Sequence, residues 1–385
     1  PPRSTLDRSS AASDVYKRQD IDRNQALDFL SRLGSHPVVS FYEKTVLSEI
    51  ELILSEIGID YYYDGFGNVV ATFIGDDVQG CPPIAFVAHT DHPGFEAVSI
   101  LDNGSIEAIV HGGVPQCSFT EGIPLQIINS DGTRVRAETR GKIDSSAERA
   151  VLIEPITFEP FDVLCPIVFD LTDFDTDDDF IYMRALDDLA GCASILAMMA
   201  ALTNNTNCGI VQGIFTRAEE VGLVGARLIA ESDILAKDTL IVSLESSRVL
   251  PGAEQGKGPV IRTGDAAFTF SVEAEAILVK AKEEIQKKDP DFRVQRQLMS
   301  GGTCEASAFL LYGYQATGIA FPLGNYHNGT EDGQIGAEFI HKEDYFSGIQ
   351  LMVESVLHAR DRQKTQFRAR LQAVSDNHRS RLQTG

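Results

Sequence analysis

The feature that most limits what this chain can become is a recurring pairing of a short apolar run with an imidazole or a carboxylate. Phe86-Val87-Ala88 runs into His89-Thr90-Asp91, and Phe215-Thr216 leads to Glu219-Glu220. Ile241-Val242-Ser243-Leu244 closes on Glu245, Phe321-Pro322 is followed after a tight loop by His327, and Asp187-Asp188 open the apolar stretch that ends at Leu202. Short apolar runs without alternation read as strands buried on both faces, which belong to sheets covered by helices. Open sheets of that kind bind ligands beyond the carboxyl ends of their strands. The pattern therefore predicts an α/β fold, a mixed sheet sandwiched by helices, with a site at one edge of the sheet.

The rest of the chain is read around that frame. Helices are expected over 25–33 and 41–57, the second opened by the capping-box spacing of Ser40 and Glu43. Strands follow at 68–73 and 83–88. From 98 to 168 short β-like runs are punctuated by Asn103-Gly104, Gly112-Gly113 and Asp131-Gly132, with no helical period, which predicts a small all-β insert. Helices at 186–202, 223–231, 273–288, 304–312 and 342–358 then alternate with strands at 209–216, 239–244, 292–298 and 316–321. The expected organisation is a discontinuous catalytic domain, 20–97 with 169–358, interrupted by the insert 98–168. Residues 1–19, rich in Ser and Arg, read as extraneous sequence, and 359–385 as a polar tail that extends the last helix by a turn or two and then frays.

Composition removes several functions. A formal charge of −23 over 385 residues opposes an electrostatic grip on nucleic acid or on an anionic membrane. No apolar run approaches the roughly 20 residues a membrane span needs, so a cytoplasmic protein is expected. Six cysteines stand far apart with no CxxC, which points to buried thiols rather than a zinc knuckle or a disulfide framework. The five aspartates between Asp173 and Asp179 lack the spacing of a calcium loop and read as a solvated loop. Glycine pairs at 112–113 and 301–302 do not form a phosphate-binding pattern, and GxSxG is absent.

Taken singly, each polar terminus has a plain reading: a hydrogen-bonded histidine at 89, an N-cap at 187–188. The adjacent Glu219 and Glu220 resist it more, since paired carboxylates after a buried strand repel unless a cation or a proton separates them. Together, two histidines and several carboxylates suit zinc, cobalt or manganese. They exceed what one tetrahedral zinc requires, whereas two cations sharing a carboxylate use them all. Such a pair polarises a carbonyl oxygen and activates a water whose proton a nearby carboxylate takes.

The ordered motifs AHTD (88–91), ALDD (185–188), EEVGLVGA (219–226), GGTCEASAF (301–309) and YHN (326–328) resemble the dinuclear glutamyl/leucyl/deblocking aminopeptidases, which include the tetrahedral aminopeptidases. The resemblance runs from about residue 20 to 358. It implies a zinc-peptidase-type sheet with an inserted β-barrel used for oligomer contacts, and a homo-oligomer from dimer to dodecamer acting on peptides. It implies His89, Glu245, Glu220 and His327 as terminal ligands, Asp187 as the bridging ligand, Glu219 as general base, Asp91 as the group orienting His89, and a cis peptide between Asp187 and Asp188. Two divalent ions, zinc or cobalt first and manganese next, are the implied cofactors.

Four departures stand out, the last three bearing on substrate choice. Glu245 stands where the family usually has Asp, His92 and Pro93 replace an acidic and an aliphatic residue, Leu189 replaces Arg, and Cys304 replaces Asp. His92 reads either as a third imidazole near the site or as a solvent-facing side chain held by Pro93. Cys304 reads either as a thiol of lowered pKa beside the metals and a helix N-terminus or as a pocket wall. Arg248, Lys257 and Arg262 are the candidate basic residues for an acidic substrate. The expected function is metal-dependent removal of N-terminal residues from peptides. The alternatives are a small-amide deacylase or carboxypeptidase of the same fold, or an inactive shell subunit.

Overall fold

The apolar runs pair with one another. In the computed structural model, which describes residues 21–143, 149–157 and 159–383, strand Ile84–His89 lies between Ile210–Thr216 and Leu240–Arg248 and is parallel to both. Leu240–Arg248 continues in parallel register to Gln315–Gly324. Antiparallel strands extend both sides, with Val69–Ile74 and Asp60–Tyr63 beyond Ile210–Thr216, and Glu338–His341, Phe180–Met183 and Asp175–Thr176 beyond Gln315–Gly324. With Val260–Arg262 paired to Gln315–Gly324, and Gln295–Gln297 paired in turn to Val260–Arg262, the described residues form an 11-stranded mixed sheet. The expectation for 1–19 lies outside the described residues.

Every residue of Ile84–His89 is buried because its two faces serve two cores. Ile84, Phe86 and Ala88 join the larger core, with helices Arg23–Gly34, Lys44–Glu56, Leu186–Leu202, Val272–Lys288 and Lys342–Leu357. Ala85 and Val87 face the smaller one, under Val224–Glu231 and Glu305–Leu311. Leu186–Leu202 is buried almost all round, which is why it reads as apolar on every face. Leu189, one of the departures, lies within that buried surface.

Between the first central strand and the rest of the sheet, six antiparallel strands close into a barrel in the order Gly94–Ile100, Ile106–His111, Ala150–Pro155, Arg134–Lys142, Glu121–Ile128, Pro166–Phe169. Its interior is built by alternation: Leu125 and Ile127, Val135 and Ala137, Val151 and Ile153 all point inward, as the two-residue period of a strand requires.

Several local expectations are corrected. The second helix starts at Lys44 with no side-chain cap; Ser40 donates instead to Asp91 Oδ2 at 2.6 Å, and Glu43 Oε1 accepts from Phe41 N and Ala218 N. The run at 292–298 pairs only over Gln295–Gln297. The tail adds only one 3-10 turn, Ala359–Asp361, after the last helix ends at Leu357, and then does not fray. It forms separate helices at Gln366–Gln372 and Asp376–Gln383, the former started by Thr365 and by Glu283 accepting from Gln366 N. Within the acidic run, Asp173 is not a solvated charge but is paired with Arg134 and Arg184. All six cysteines are free, four of them buried. Among the described residues no helix is long and apolar enough to cross a membrane.

Candidate metal centre

Parallel pairing brings the carboxyl ends of the central strands to one edge, and the ligand-type residues arrive there from five directions. His89 ends its strand with the side chain only 1% exposed. Its Nδ1 lies 3.1 Å from the carbonyl of Asp91 and 3.6 Å from Asp91 Oδ1. That leaves Nε2 directed at Asp187 Oδ1, 3.5 Å away. His327 repeats the arrangement from the other side. Its Nδ1 donates to the carbonyl of Gly113 at 2.9 Å, and its Nε2 lies 3.6 Å from Asp187 Oδ2 and 3.4 Å from Glu220 Oε1. A neutral imidazole whose Nδ1 is engaged in this way presents a bare Nε2 lone pair to the site. Gly113 must be glycine for that approach, since a Cβ there would stand 2.8 Å from the His327 ring.

Asp187 therefore sits between two imidazoles with a separate oxygen toward each. His89, Asp187 and Glu220 each offer an atom within 4.8 Å of the others, the geometry of a group able to hold one cation. Glu219 is more removed, its Oε2 4.0 Å from His89 Nε2. The backbone N–H groups of Glu219 and Glu220 both donate to the Asp91 carboxylate, at 2.9 and 3.2 Å. Ala218, just before them, has φ of +54°, a conformation that costs a non-glycine residue energy and that clusters at functional sites. The Asp187–Asp188 peptide is cis, as the resemblance implies.

Glu245 is not at a strand end. Pairing continues past it to Arg248, with Glu245 opposite Ala320, because Ser246, Ser247 and Arg248 still find partners in Phe321, Pro322 and Leu323. Its carboxylate faces the site from the middle of a strand.

The electrostatics explain what such a cluster needs. Burial and their like-charged neighbours push Asp188, Glu219 and Glu220 well above the usual carboxylate range. Burial, then Asp187, pushes Glu245 to about 8. Burial opposes charge on His89, but Glu219, Asp187 and Asp91 outweigh it and hold its pKa well above the ordinary value. Asp187 Oδ1, Glu220 Oε1 and Glu245 Oε1 are buried with no hydrogen-bond partner. Orphaned buried carboxylate oxygens are costly unless a cation satisfies them, and beside two oriented imidazoles they fit divalent metal ions.

Of the departures, His92 is neither solvent-facing nor turned into the pocket. It is buried, its Nδ1 donates to the carbonyl of Asp187 at 2.7 Å, and its Nε2 lies 3.0 Å from Asn328 Oδ1. Burial and the nearby His327 pull its pKa down to about 4 against these contacts. Burial raises the Cys304 thiol rather than lowering it, and the helix N-terminus beside it is occupied by Asp265, which accepts from Cys304 N and Ser307 Oγ. Cys304 is packed in the smaller core and lines neither cavity of the site. Arg248 lies over the Tyr326 ring at 4.8 Å, Arg262 is buried with Nη1 3.8 Å from Glu245 Oε2, and Lys257 lines neither cavity of the site.

Two residues escaped the sequence reading. Glu338 is fully buried and accepts from Asp187 N at 3.0 Å and from His327 N at 2.8 Å. Glu305 is fully buried beside Thr216, and burial raises its carboxyl to about 7. Glu305 lies within GGTCEASAF, so a carboxylate opening an apolar helix was the available signal. Glu338 carried only a weak one, an acidic residue beginning a short strand.

The fold is shared with several solved structures. Aminopeptidase APDkam598 from the archaeon Desulfurococcus kamchatkensis is 22% identical over 87% of this chain and 95% of its own, with a TM-score of 0.72. The TET1 peptidase of Pyrococcus horikoshii, described as able to assemble into a tetrahedron or a large octahedral shell, is 22% identical over 86% and 99%, with a TM-score of 0.71. A TET aminopeptidase from a marine-sediment Thaumarchaeota archaeon is 20% identical over 88% and 99%, with a TM-score of 0.73. These likenesses establish the mixed sheet with its inserted barrel. The family model for M42 glutamyl aminopeptidases matches residues 156–351, more than half of the chain and the stretch that carries Asp187, Glu219, Glu220, Glu245 and His327, and so this chain belongs to the M42 glutamyl aminopeptidase family.

Proposed function

We propose that this protein is a two-metal aminopeptidase that removes N-terminal residues from peptides. The observation that carries the reading is Asp187, whose two oxygens face two different imidazoles at 3.5 and 3.6 Å, as a carboxylate shared by two cations would. Glu220, whose Oε1 lies 3.4 Å from His327 Nε2, would then be a terminal ligand with His327 on one side, and His89 with Glu245 on the other, the two ions being close enough across Asp187 that His89 and Glu220 also come within 4.8 Å of each other. When bound, divalent ions, with zinc or cobalt preferred over manganese, would polarise the scissile carbonyl and make a water acidic enough to attack at neutral pH. Glu219, close to the ligands but outside the closest group, is the general base that takes the proton of the water and returns it to the departing amine. Asp91 fixes that base by accepting its backbone N–H, and steadies His89.

The charge of the pocket favours an aminopeptidase over its relatives in chemistry. The cavity lined by His89, Asp187, Glu219, Glu220, Glu245 and His327 has carboxylates and no Lys or Arg on its wall. A free terminal ammonium can pair there with carboxylate oxygens that the metals leave free, whereas no side chain of that wall offers a positive partner to a C-terminal carboxylate. A cleft of about 760 Å³ shares Tyr326 and His327 with this cavity, room for the residues of a peptide. The discontinuous domain 20–97 with 169–358 carries this chemistry. The insert, expected over 98–168 and folded as the barrel whose strands run from Gly94 to Phe169, serves assembly into a homo-oligomer, and light scattering on the purified protein should give a mass well above one chain of 42.0 kDa; a monomer would reject that part of the reading.

The decisive assay is hydrolysis of unblocked and N-acylated aminoacyl amides after chelation, and again with zinc, cobalt or manganese restored. Cleavage of unblocked substrates alone, abolished by chelation and recovered with metal, is the expected result. Cleavage confined to acylated substrates would make it a deacylase, and no cleavage with any metal would favour an inactive shell subunit.

A further inference from the structure

Asp187 is gripped by its backbone as well as by its carboxylate. Its N–H donates to Glu338 Oε2 at 3.0 Å, and its carbonyl accepts from His92 Nδ1 at 2.7 Å. Glu338 reaches on to the turn across the site, its Oε1 accepting the N–H of His327 at 2.8 Å. His92, neutral and donating through Nδ1, holds the Asp187 carbonyl and packs its Nε2 edge 3.0 Å from the Asn328 amide. Asn328 is itself tied back, its Nδ2 donating to the carbonyl of Arg184 at 2.8 Å. Glu338 is 0% and His92 1% exposed, so water does not compete for these contacts.

That turn needs holding. Asn325, His327 and Asn328 all have left-handed φ, between +52° and +63°, a conformation that persists only where the surroundings enforce it. Far from Asp187 in sequence, the turn places a terminal imidazole against it. The His89 side is built differently: His89 ends a strand paired in register with Thr216, and Glu245 lies inside a strand paired on to Arg248. Backbone ladders fix that side, while side chains fix the other.

We infer that Glu338 is a positioning residue that sets the separation between Asp187 and the His327 turn, with His92 fixing the Asp187 carbonyl, and thereby sets the affinity of the cation site formed by Asp187, His327 and Glu220. The inference rests on the two-metal reading above. A carboxylate is required at 338 because two N–H donors converge on two separate oxygens. A glutamine of the same shape has one acceptor and would set an NH₂ against the second donor.

The test uses Glu338→Gln with two readouts besides activity. Metal content at graded free zinc should show two ions per subunit in the parent, and in the variant one retained at parental affinity with the second about 10–100-fold weaker, the usual cost of losing a group that orients a ligand. Hydrogen exchange on the chelated proteins should be faster in the variant for segments containing Asp187 and His327 and unchanged in the barrel strands. Parental affinity at both sites together with unchanged exchange at those segments would overturn the inference. A parent that binds only one ion would instead refute the two-metal reading, with the exchange comparison still deciding whether the clamp exists. Should Glu338→Gln fail to fold, Glu338→Asp, which keeps the carboxylate but draws it back from both N–H groups, must give the same loss of the second ion and the same local exchange; parental behaviour in that variant would equally overturn it.

Discussion

Glu219→Gln is expected to lower turnover by about 10²–10⁴-fold, the range for removing a positioned general base, while leaving metal content near the parental value. In barrier terms that is roughly 3–5 kcal/mol at 1.36 kcal/mol per decade. The glutamine keeps the shape and the backbone contact to Asp91 but cannot take a proton. The geometry distinguishes it from its neighbour: Glu220 Oε1 stands 3.4 Å from His327 Nε2 and groups with His89 and Asp187, whereas Glu219 approaches His89 only to 4.0 Å. Glu220→Gln should accordingly lose metal as well as turnover. The assay is steady-state hydrolysis of an unblocked aminoacyl amide, with metal measured on the same sample. Full turnover in Glu219→Gln would remove the base assignment, and loss of metal there would recast Glu219 as a ligand.

Much of this site could be read from the sequence because its parts interrupt strong local patterns. A histidine at the end of an unbroken apolar run, or two adjacent glutamates after another, contradicts what a buried strand otherwise demands, and such contradictions collect at functional sites. The fold was readable for the same reason, since strands buried on both faces admit few architectures. What escaped was set by contacts across the chain. Ser40 and Glu43 have capping-box spacing, yet the buried Asp91 and the N–H groups of Phe41 and Ala218 claim their side chains. His92 reads as a surface residue beside a proline until the Asp187 carbonyl and Asn328, 95 and 236 positions away, close over it. Glu338 gives almost no local signal, because its partners are backbone N–H groups, which every residue but proline carries. Glu245 appeared to end a strand because apolar character stops there, while the pairing continues through Ser246 and Ser247.

Asp187→Ala is expected to abolish turnover and to reduce bound metal to background, because it removes the one carboxylate placed between both imidazoles. Its clearest signature is thermal. In the chelated parent, burial and like charge raise the carboxyls of Asp188, Glu219 and Glu220, and raise Glu245 to about 8. A carboxyl whose pKa is raised on folding favours the folded state fully below its unfolded value, about 4.3 for Glu, and loses that contribution as pH rises to the folded value. The raised pKa of His89 acts in the same direction. The metal-free parent should therefore lose stability at this site as pH climbs from about 4 toward 8. Cations reverse the loss in that window: at a free concentration of 100 times Kd one bound ion adds about 2.7 kcal/mol, read as a rise in melting temperature. In Asp187→Ala that rise should vanish at pH 7.5 to 8. The alanine leaves His89 and His327 without the carboxylate between them, but it also removes a neighbour that raises Glu220 and Glu245, so the two effects on the metal-free fold oppose each other. A parental metal-induced rise in Asp187→Ala would show that the cations are held without it, and Asp187 would then not be the shared ligand.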